Sequence, residues 1–304
     1  MRSTVRRSAA SVEHILAAPA KERAGRGALV PRVTIVVTTK NSDRTLKACL
    51  ESARAQQGAN VEIIVVDNCS ADATPVIASS LADVVLQAGP ERSAQRNAGV
   101  AVAKGDYILI VDSDMMLSPN VVASAFEQIE RGAQAVAIPE TSFGEGFWSA
   151  CKALERSCYD GDATISAARF FPRERLIKIG GFDERLQGGE DWDISLRATG
   201  NTAPAFAASR IYHDEGRQTL AAIAAKKFCY GKSLPLFVRK HGREGLTRLN
   251  PLRWSLVRNL PKMMKQPVIG IGCIVMKTAE LCAVVCGMAS SLVASPGRSP
   301  KKMT

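Results

Sequence analysis

The chain alternates short, nearly continuous apolar runs with longer stretches in which apolar residues recur every three or four positions. Val33-Thr34-Ile35-Val36-Val37 is rich in β-branched residues and predicts a strand buried on both faces. Asn41, Ser42 or Asp43 then offers a helix cap, and Leu46, Cys49, Leu50 and Ala53 keep helical spacing behind it. Val61–Val66 reads as a second strand ending at Asp67, and Thr74-Pro75 as an N-cap followed by proline in the first turn. Asp83–Leu86 gives a third strand, Ser93–Ala103 a helix, and Tyr107–Val111 a strand ending at Asp112. This alternation over residues 33–111 predicts βαβ units, hence an α/β fold with an open, mostly parallel sheet flanked by helices. Ligands of such sheets lie beyond the carboxyl ends of the strands. Asn41, Asp67 and Asp112 all fall just past strand ends, which points to one shared site.

Beyond Asp112 the pattern loosens. A helix is expected over Asn120–Glu130, a strand over Gln134–Ile138 and a mobile loop over Phe143–Trp148. Residues 180–193 form a Gly-rich acidic loop leading into a helix, and Ala205–Ile211 reads as a strand placed before His213. Residues 267–294 are almost all apolar or small, Lys277 and Glu280 excepted. No internal repeat is visible.

With 304 residues, 46% hydrophobic and 23% charged, the chain is long enough for one large domain or two small ones. That balance excludes a wholly disordered chain and a polytopic membrane protein. The net charge of +11 suggests an anionic partner, but its distribution changes that picture. Residues 1–26 carry +4, residues 27–225 carry −6, residues 226–265 carry +10 and residues 266–304 carry +3. The acidic middle therefore holds the chemistry, and the basic ends serve something else. Residues 226–265 run directly into the apolar stretch, which suits a lipid surface better than a nucleic-acid groove, so no nucleic-acid partner is expected. The eight cysteines contain no Cys-x-x-Cys pair, which favours reduced thiols over zinc or a disulfide framework. Residues 1–29 read as a flexible basic tail, because Ile15–Ala18 is too short an apolar run for a signal peptide.

Two acidic pairs carry the candidate chemistry. Asp112-Ser113-Asp114 places two carboxylates at the end of a buried strand, a donor set suited to Mg²⁺ or Mn²⁺ shared with a diphosphate; taken alone, the motif is better accounted for by an Asx turn capping the next helix. Glu190-Asp191, beside Trp192, suits a general base for an acceptor hydroxyl or, alternatively, a helix cap with favourable dipole charge. His213 is either a metal ligand or a structural histidine.

Taken together, these motifs resemble glycosyltransferases of family 2, which have the GT-A fold. Thr34–Asn41 is similar to the family's first strand and loop, where the base and ribose of a nucleotide-sugar lie. Val65–Thr74 resembles the second motif, in which Asp67 would accept a hydrogen bond from the base edge. Gln95–Gly99 with Ala103–Asp106 resembles the helix before the metal strand, and Asp112-Ser113-Asp114 stands at the Asp-x-Asp position. Gly180–Glu184 and Gly189–Asp193 resemble the acceptor loop. The resemblance, over about residues 32–240, implies donor contacts from Thr38, Thr39, Asn41, Asp67, Arg96, Asn97, Asp112 and Ser113. It implies a Mg²⁺ or Mn²⁺ site at Asp112, Asp114 and His213, with Asp114 the direct ligand, and Asp191 as catalytic base with Glu190 beside it. The implied reaction is an inverting, metal-dependent transfer from a UDP- or GDP-sugar to a glycan or lipid-linked acceptor. Lys40 departs from the family pattern, standing where an aromatic residue is common. A sugar nucleotidyltransferase is the competing enzyme class, but Thr38–Arg44 lacks the glycines that cradle a triphosphate. A non-enzymatic basic binding protein is the other.

The expected organisation is a tail over 1–29, a GT-A domain over 30–245 and a basic, apolar, membrane-associated helical region over 246–304. A membrane span needs ~20 mostly apolar residues, so 267–294 suffices by length. Lys277 and Glu280 would then sit near mid-bilayer at ~2.5–3.5 kcal/mol each. Both flanks, Arg253–Lys265 and Arg298–Lys302, are basic and prefer the cytoplasmic side. A monotopic or re-entrant association at the cytoplasmic face of the membrane is therefore favoured over a span, and over a soluble helix packed on the catalytic domain.

Overall fold

A computed structural model describes residues 31–250 and 253–293. The expected tail and the basic cluster at Arg298–Lys302 lie outside the described residues.

A seven-stranded sheet runs in the order β3-β2-β1-β4-β8-β6-β9. Its parallel half comprises β1 (Arg32–Thr39), β2 (Asn60–Asp67), β3 (Val84–Gln87) and β4 (Tyr107–Asp112). β8 (Ala168–Pro172) joins β4 and β6 (Val136–Ala137) antiparallel, and β9 (Ala205–Phe206) closes the edge beside β6. Alternate residues of each parallel strand feed opposite cores. Ile35, Ile63 and Leu109 pack on one face with α1 (Leu46–Arg54), α2 (Thr74–Leu81) and α4 (Val121–Glu130). Val36, Ile64 and Ile110 face α3 (Arg92–Val102), α6 (Arg173–Lys178) and α7 (Glu190–Thr199). Burial on both faces explains why these strands read as unbroken apolar runs.

A second sheet, β5-β10-β7, stands at the end of β4 and is built from β5 (Met115–Leu117), β7 (Glu140–Glu145) and β10 (Ile211–Arg217). Two expectations change here. Phe143–Trp148 is no free loop: its first half pairs in β7 and Phe147 opens α5 (Phe147–Cys158). His213 sits inside β10 rather than after a strand ending at Ile211, in register with Met115 and Ser142. Polar residues alternating through Tyr212–Arg217 hid this strand, because a small three-stranded sheet buries only part of each residue. β1, β2 and β4 thus end at Thr39, Asp67 and Asp112, while β10 carries His213 from its interior opposite Met115 of β5.

The C-terminal third is helical: α8 (Leu220–Gly231), α9 (Leu234–Leu249), α10 (Trp254–Arg258), α11 (Leu260–Met264) and α12 (Pro267–Val293). The division expected after residue 245 falls inside α9. Arg248 and Arg253 beyond it donate back to the carbonyl and hydroxyl of Thr164 at 3.3 and 2.9 Å.

Candidate active site

Asp112 ends β4 between two arginines. Arg96 Nη2 donates to its Oδ1 at 3.1 Å, and Arg169 Nη1 from β8 stands 3.6 Å from its Oδ2. Burial alone would raise this carboxyl, and the two guanidinium groups outweigh it, holding Asp112 well below the usual carboxylate range. Thr38 Oγ1 donates to Asp112 Oδ1 at 3.3 Å.

Arg96 joins this strand end to the acidic loop. Its side chain is fully buried on α3, lies over the Phe182 ring, and donates through Nη1 to Asp191 Oδ1 at 2.5 Å. Glu190 Oε1 is 3.5 Å from the same nitrogen and 3.0 Å from Arg92 Nη2, and Arg92 also donates to the Tyr230 hydroxyl at 2.8 Å. Burial and the adjacent Asp191 carboxylate push Glu190 up to about 7, against the pull of Arg92 and Arg96. Glu190 is thereby the buried member of the pair and Asp191 the one reaching solvent, its side chain 35% exposed. Gly189 precedes them as N-cap of α7 with φ of 82°, a left-handed conformation that glycine adopts freely.

Asp114 and His213 form the second half of the site. His213 Nε2 is 3.2 Å from Asp114 Oδ2, and Nδ1 faces Glu140 at 3.7 Å and Glu215 at 3.9 Å. Burial would lower the imidazole, but these carboxylates raise it to about 10. Asp114 Oδ1 and His213 Nδ1 are buried without a hydrogen-bond partner. An orphaned carboxylate oxygen suits Mn²⁺ or Mg²⁺ completed by a ligand's oxygens, and His213 would join as a ligand in its neutral form, giving up the proton these carboxylates hold on it. Among the described residues no group of three or more His, Cys, Asp or Glu side chains converges as a metal cage.

The other residues expected to meet a donor have local partners. Asn41 donates its backbone N–H to Ser70 Oγ at 2.8 Å and accepts from Ala71 N–H at 2.9 Å, tying the β1 and β2 loops together. Asp67 is buried and accepts from the Ser70 N–H at 2.9 Å and from the Ser70 hydroxyl. The Thr39 hydroxyl is buried without a partner, and Ser113 Oγ donates to Ser42 Oγ at 2.8 Å. Asn97 lies at the seam with the acidic loop: Nδ2 donates to Phe182 O at 3.0 Å and Glu184 Oε1 at 2.9 Å, and Oδ1 accepts from Phe182 N–H at 2.8 Å. A Cβ on Gly181 would come within 2.6 Å of that Oδ1, so the seam needs glycine there.

Arg92, Arg169, Glu140 and Tyr230 were not singled out by sequence. Arg169 carried the clearest signal, a charge inside the apolar strand Ala168–Pro172, and it links Asp112 to Glu140 through a 2.8 Å bond. Arg92 is one turn before Arg96 on the same helix face.

Residues 34–182 match the family model for glycosyl transferase family 2. The succinoglycan biosynthesis protein ExoO of Rhizobium meliloti strain 1021 is 37% identical over 114 residues, covering 36% of this chain and 33% of ExoO. EpsH of Bacillus subtilis strain 168 is 38% identical over 96 residues, covering 30% of this chain and 28% of EpsH. The chain thus spans about a third or less of the length of these curated relatives. Among solved structures, mannosyltransferase PcManGT from Pyrobaculum calidifontis, in complex with GDP-Man and Mn²⁺, superposes with a TM-score of 0.59 at 17% identity, covering 94% of each chain. The sheet order agrees with that fold: the chain has a GT-A fold, within which residues 34–182 match glycosyl transferase family 2.

Proposed function

We propose that the chain is an inverting glycosyltransferase that moves a sugar from a UDP- or GDP-sugar to an acceptor hydroxyl. The observation that carries this reading is Arg96, one buried guanidinium in contact with both Asp112 at the strand end and Asp191 on the acidic loop. This shared contact supports reading Asp112 as the donor-side carboxylate and Asp191 as the acceptor-side one. The nucleoside would lie along the β1 and β2 ends near Thr38, Thr39, Asn41 and Asp67, with Ser113 and Arg96 toward the diphosphate and Asn97 holding the acceptor loop.

Asp191 is the general base. It takes the proton from the acceptor O–H as that oxygen bonds to the anomeric carbon, and the bond from that carbon to the diphosphate oxygen breaks on the opposite face. Glu190 holds Arg92 and Arg96 beside it. Asp114 and His213, with Asp112, would hold Mg²⁺ or Mn²⁺, which when bound neutralises the charge developing on the leaving diphosphate. The PcManGT complex contains GDP-Man and Mn²⁺ and supports a ligand pair of this kind. The acceptor is a glycan or lipid-linked glycan in polysaccharide synthesis, in keeping with the name of ExoO, and the enzyme works at the cytoplasmic face of the membrane.

Thermal stability measured with UDP, GDP and their sugars tests this. Stabilisation by at least one nucleoside diphosphate, abolished by a chelator and restored by Mn²⁺ or Mg²⁺, is the expected result. No stabilisation by any of them with either metal overturns it.

A further inference from the structure

By length and composition α12 could cross a membrane. Its packing says how it is used. One face carries Gly270, Gly272, Cys273, Met276, Glu280 and Gly287, all buried against the rest of the chain. The glycines let neighbouring elements pack close against the helix. A Cβ on Gly270 would come within 2.7 Å of the Met263 carbonyl, one on Gly272 within 2.5 Å of Cys151 Sγ, and one on Gly287 within 3.1 Å of Gly231 Cα. On the same side Lys277 Nζ lies 2.8 Å from Glu155 Oε1 and 2.9 Å from Glu280 Oε2. Lys152 and Lys227 approach Glu280 Oε1 at 3.3 and 3.8 Å. The charges that would burden a span are thus matched by charges on α5 and α8 of the catalytic body. Drawing α12 away into a bilayer would carry the Lys277–Glu280 pair into hydrocarbon and strip Lys152, Lys227 and Glu155 of their partners on α12, the costly way to treat a buried ion cluster.

Among the described residues the opposite face has no such partners. Val268, Ile271, Ile274, Leu281, Val285 and Leu292 are exposed along it at helical spacing. The helices just before it, α10 and α11, expose Trp254, Leu260 and Met264, interleaved in sequence with exposed Arg258, Lys262 and Lys265. An extended apolar face of this kind marks an interaction surface, and a basic, tryptophan-bearing border matches anionic lipid headgroups. We infer that α12 lies in the plane of the membrane: its glycine and ion-paired face clamps the catalytic body, and its outer face sinks into one leaflet of an anionic bilayer without crossing it. This rests on the membrane-surface part of the proposed function and adds to it the orientation. The catalytic site is tied to that surface through α8. Gly231 of this helix meets α12, while Tyr230 bonds Arg92, and a Cβ on Gly188 of the acceptor loop would come within 2.6 Å of the Tyr230 Cβ. A lipid-linked acceptor embedded in the same leaflet would enter beside that loop.

The test uses the full chain with epitopes at both termini, in sealed inside-out vesicles from expressing cells, and the purified chain in flotation with phosphatidylglycerol vesicles. In-plane docking predicts that protease removes both epitopes without detergent. It also predicts that Ile274→Glu cuts the vesicle-bound fraction about tenfold or more while nucleotide-induced thermal stabilisation is unchanged. A C-terminal epitope protected until detergent is added overturns the in-plane inference and leaves the membrane reading standing. Ile274→Glu floating like the parent overturns the assigned face. A chain that binds nucleotide but neither floats nor fractionates with membranes overturns both, and a stable dimer that fails to float reassigns the apolar face to a second copy.

Discussion

Arg96 is the residue on which the site turns. A guanidinium has five donors in a planar fork, so one side chain can hold two carboxylates that a lysine would meet singly. Its loss would leave Asp112, Glu190 and Asp191 crowded together without compensation. Arg96→Met is therefore expected to lower stability by ~3–5 kcal/mol, seen as a lower denaturant midpoint with an unchanged slope. Asp191→Asn, isosteric and solvent-reaching, should leave nucleotide affinity near that of the parent and reduce turnover by ~10²–10⁴, as a general base contributes. Calorimetric titration and single-turnover assays separate the two effects. Near-parental turnover in Asp191→Asn would remove it from the base role.

Much of this chemistry was legible in order along the chain. Asp112, Asp114, Glu190 and Asp191 stand in short polar clusters that interrupt apolar patterns, and such interruptions are visible without a structure. Arg92, Glu140 and Tyr230 were not, because their relevance lies in partners on other elements: Arg92 and Tyr230 are 138 residues apart, and Glu140 meets Arg169 29 residues further on. Sequence spacing carries no information about such distances.

At the scale of elements, the parallel strands were readable because burial on both faces leaves apolar runs, whereas β7 and β10 belong to a half-exposed sheet and read as polar loop. The helix α12 was visible as an apolar stretch, but not which way Lys277 and Glu280 pointed. Burial alone would raise the Glu280 carboxyl, yet Lys227, Lys152 and Lys277 hold it at about 2, below its ordinary 4.5. A carboxyl depressed on folding contributes stability that is complete above pH 4.5 and lost as the pH falls toward 2. Glu280→Gln should thus cost on the order of 3 kcal/mol at neutral pH and converge with the parent as the pH falls through that range. Denaturant midpoints of the two proteins across an acid series give the comparison. Parallel curves would mean that the cluster does not share its charge as the geometry indicates.

At the scale of the whole molecule, the net +11 resolves into an acidic catalytic body and basic ends. The C-terminal helices are part of the body's packing: Ile223, Met263, Cys273 and Met276 share a core with Cys151 and Leu154 of α5. Ending the chain before Pro267 would uncover Ile223 and Leu154, each worth ~1.5–3 kcal/mol of burial. Such a truncation is expected to aggregate or to melt well below the parent, by light scattering and thermal denaturation. A truncation that stays soluble and equally stable would show α12 to be an appendage.

The order of strands and helices, the class of fold and the acidic motifs follow from local pattern, because periodicity, strand ends and polar interruptions are properties of neighbouring residues. The pairing of Asp112 with Asp191 through Arg96, the placement of His213 in a strand beside Asp114, and the side of α12 that holds its charges come from contacts between segments far apart in the chain. Those are set by how helices and sheets close on one another, and only the folded chain decides them.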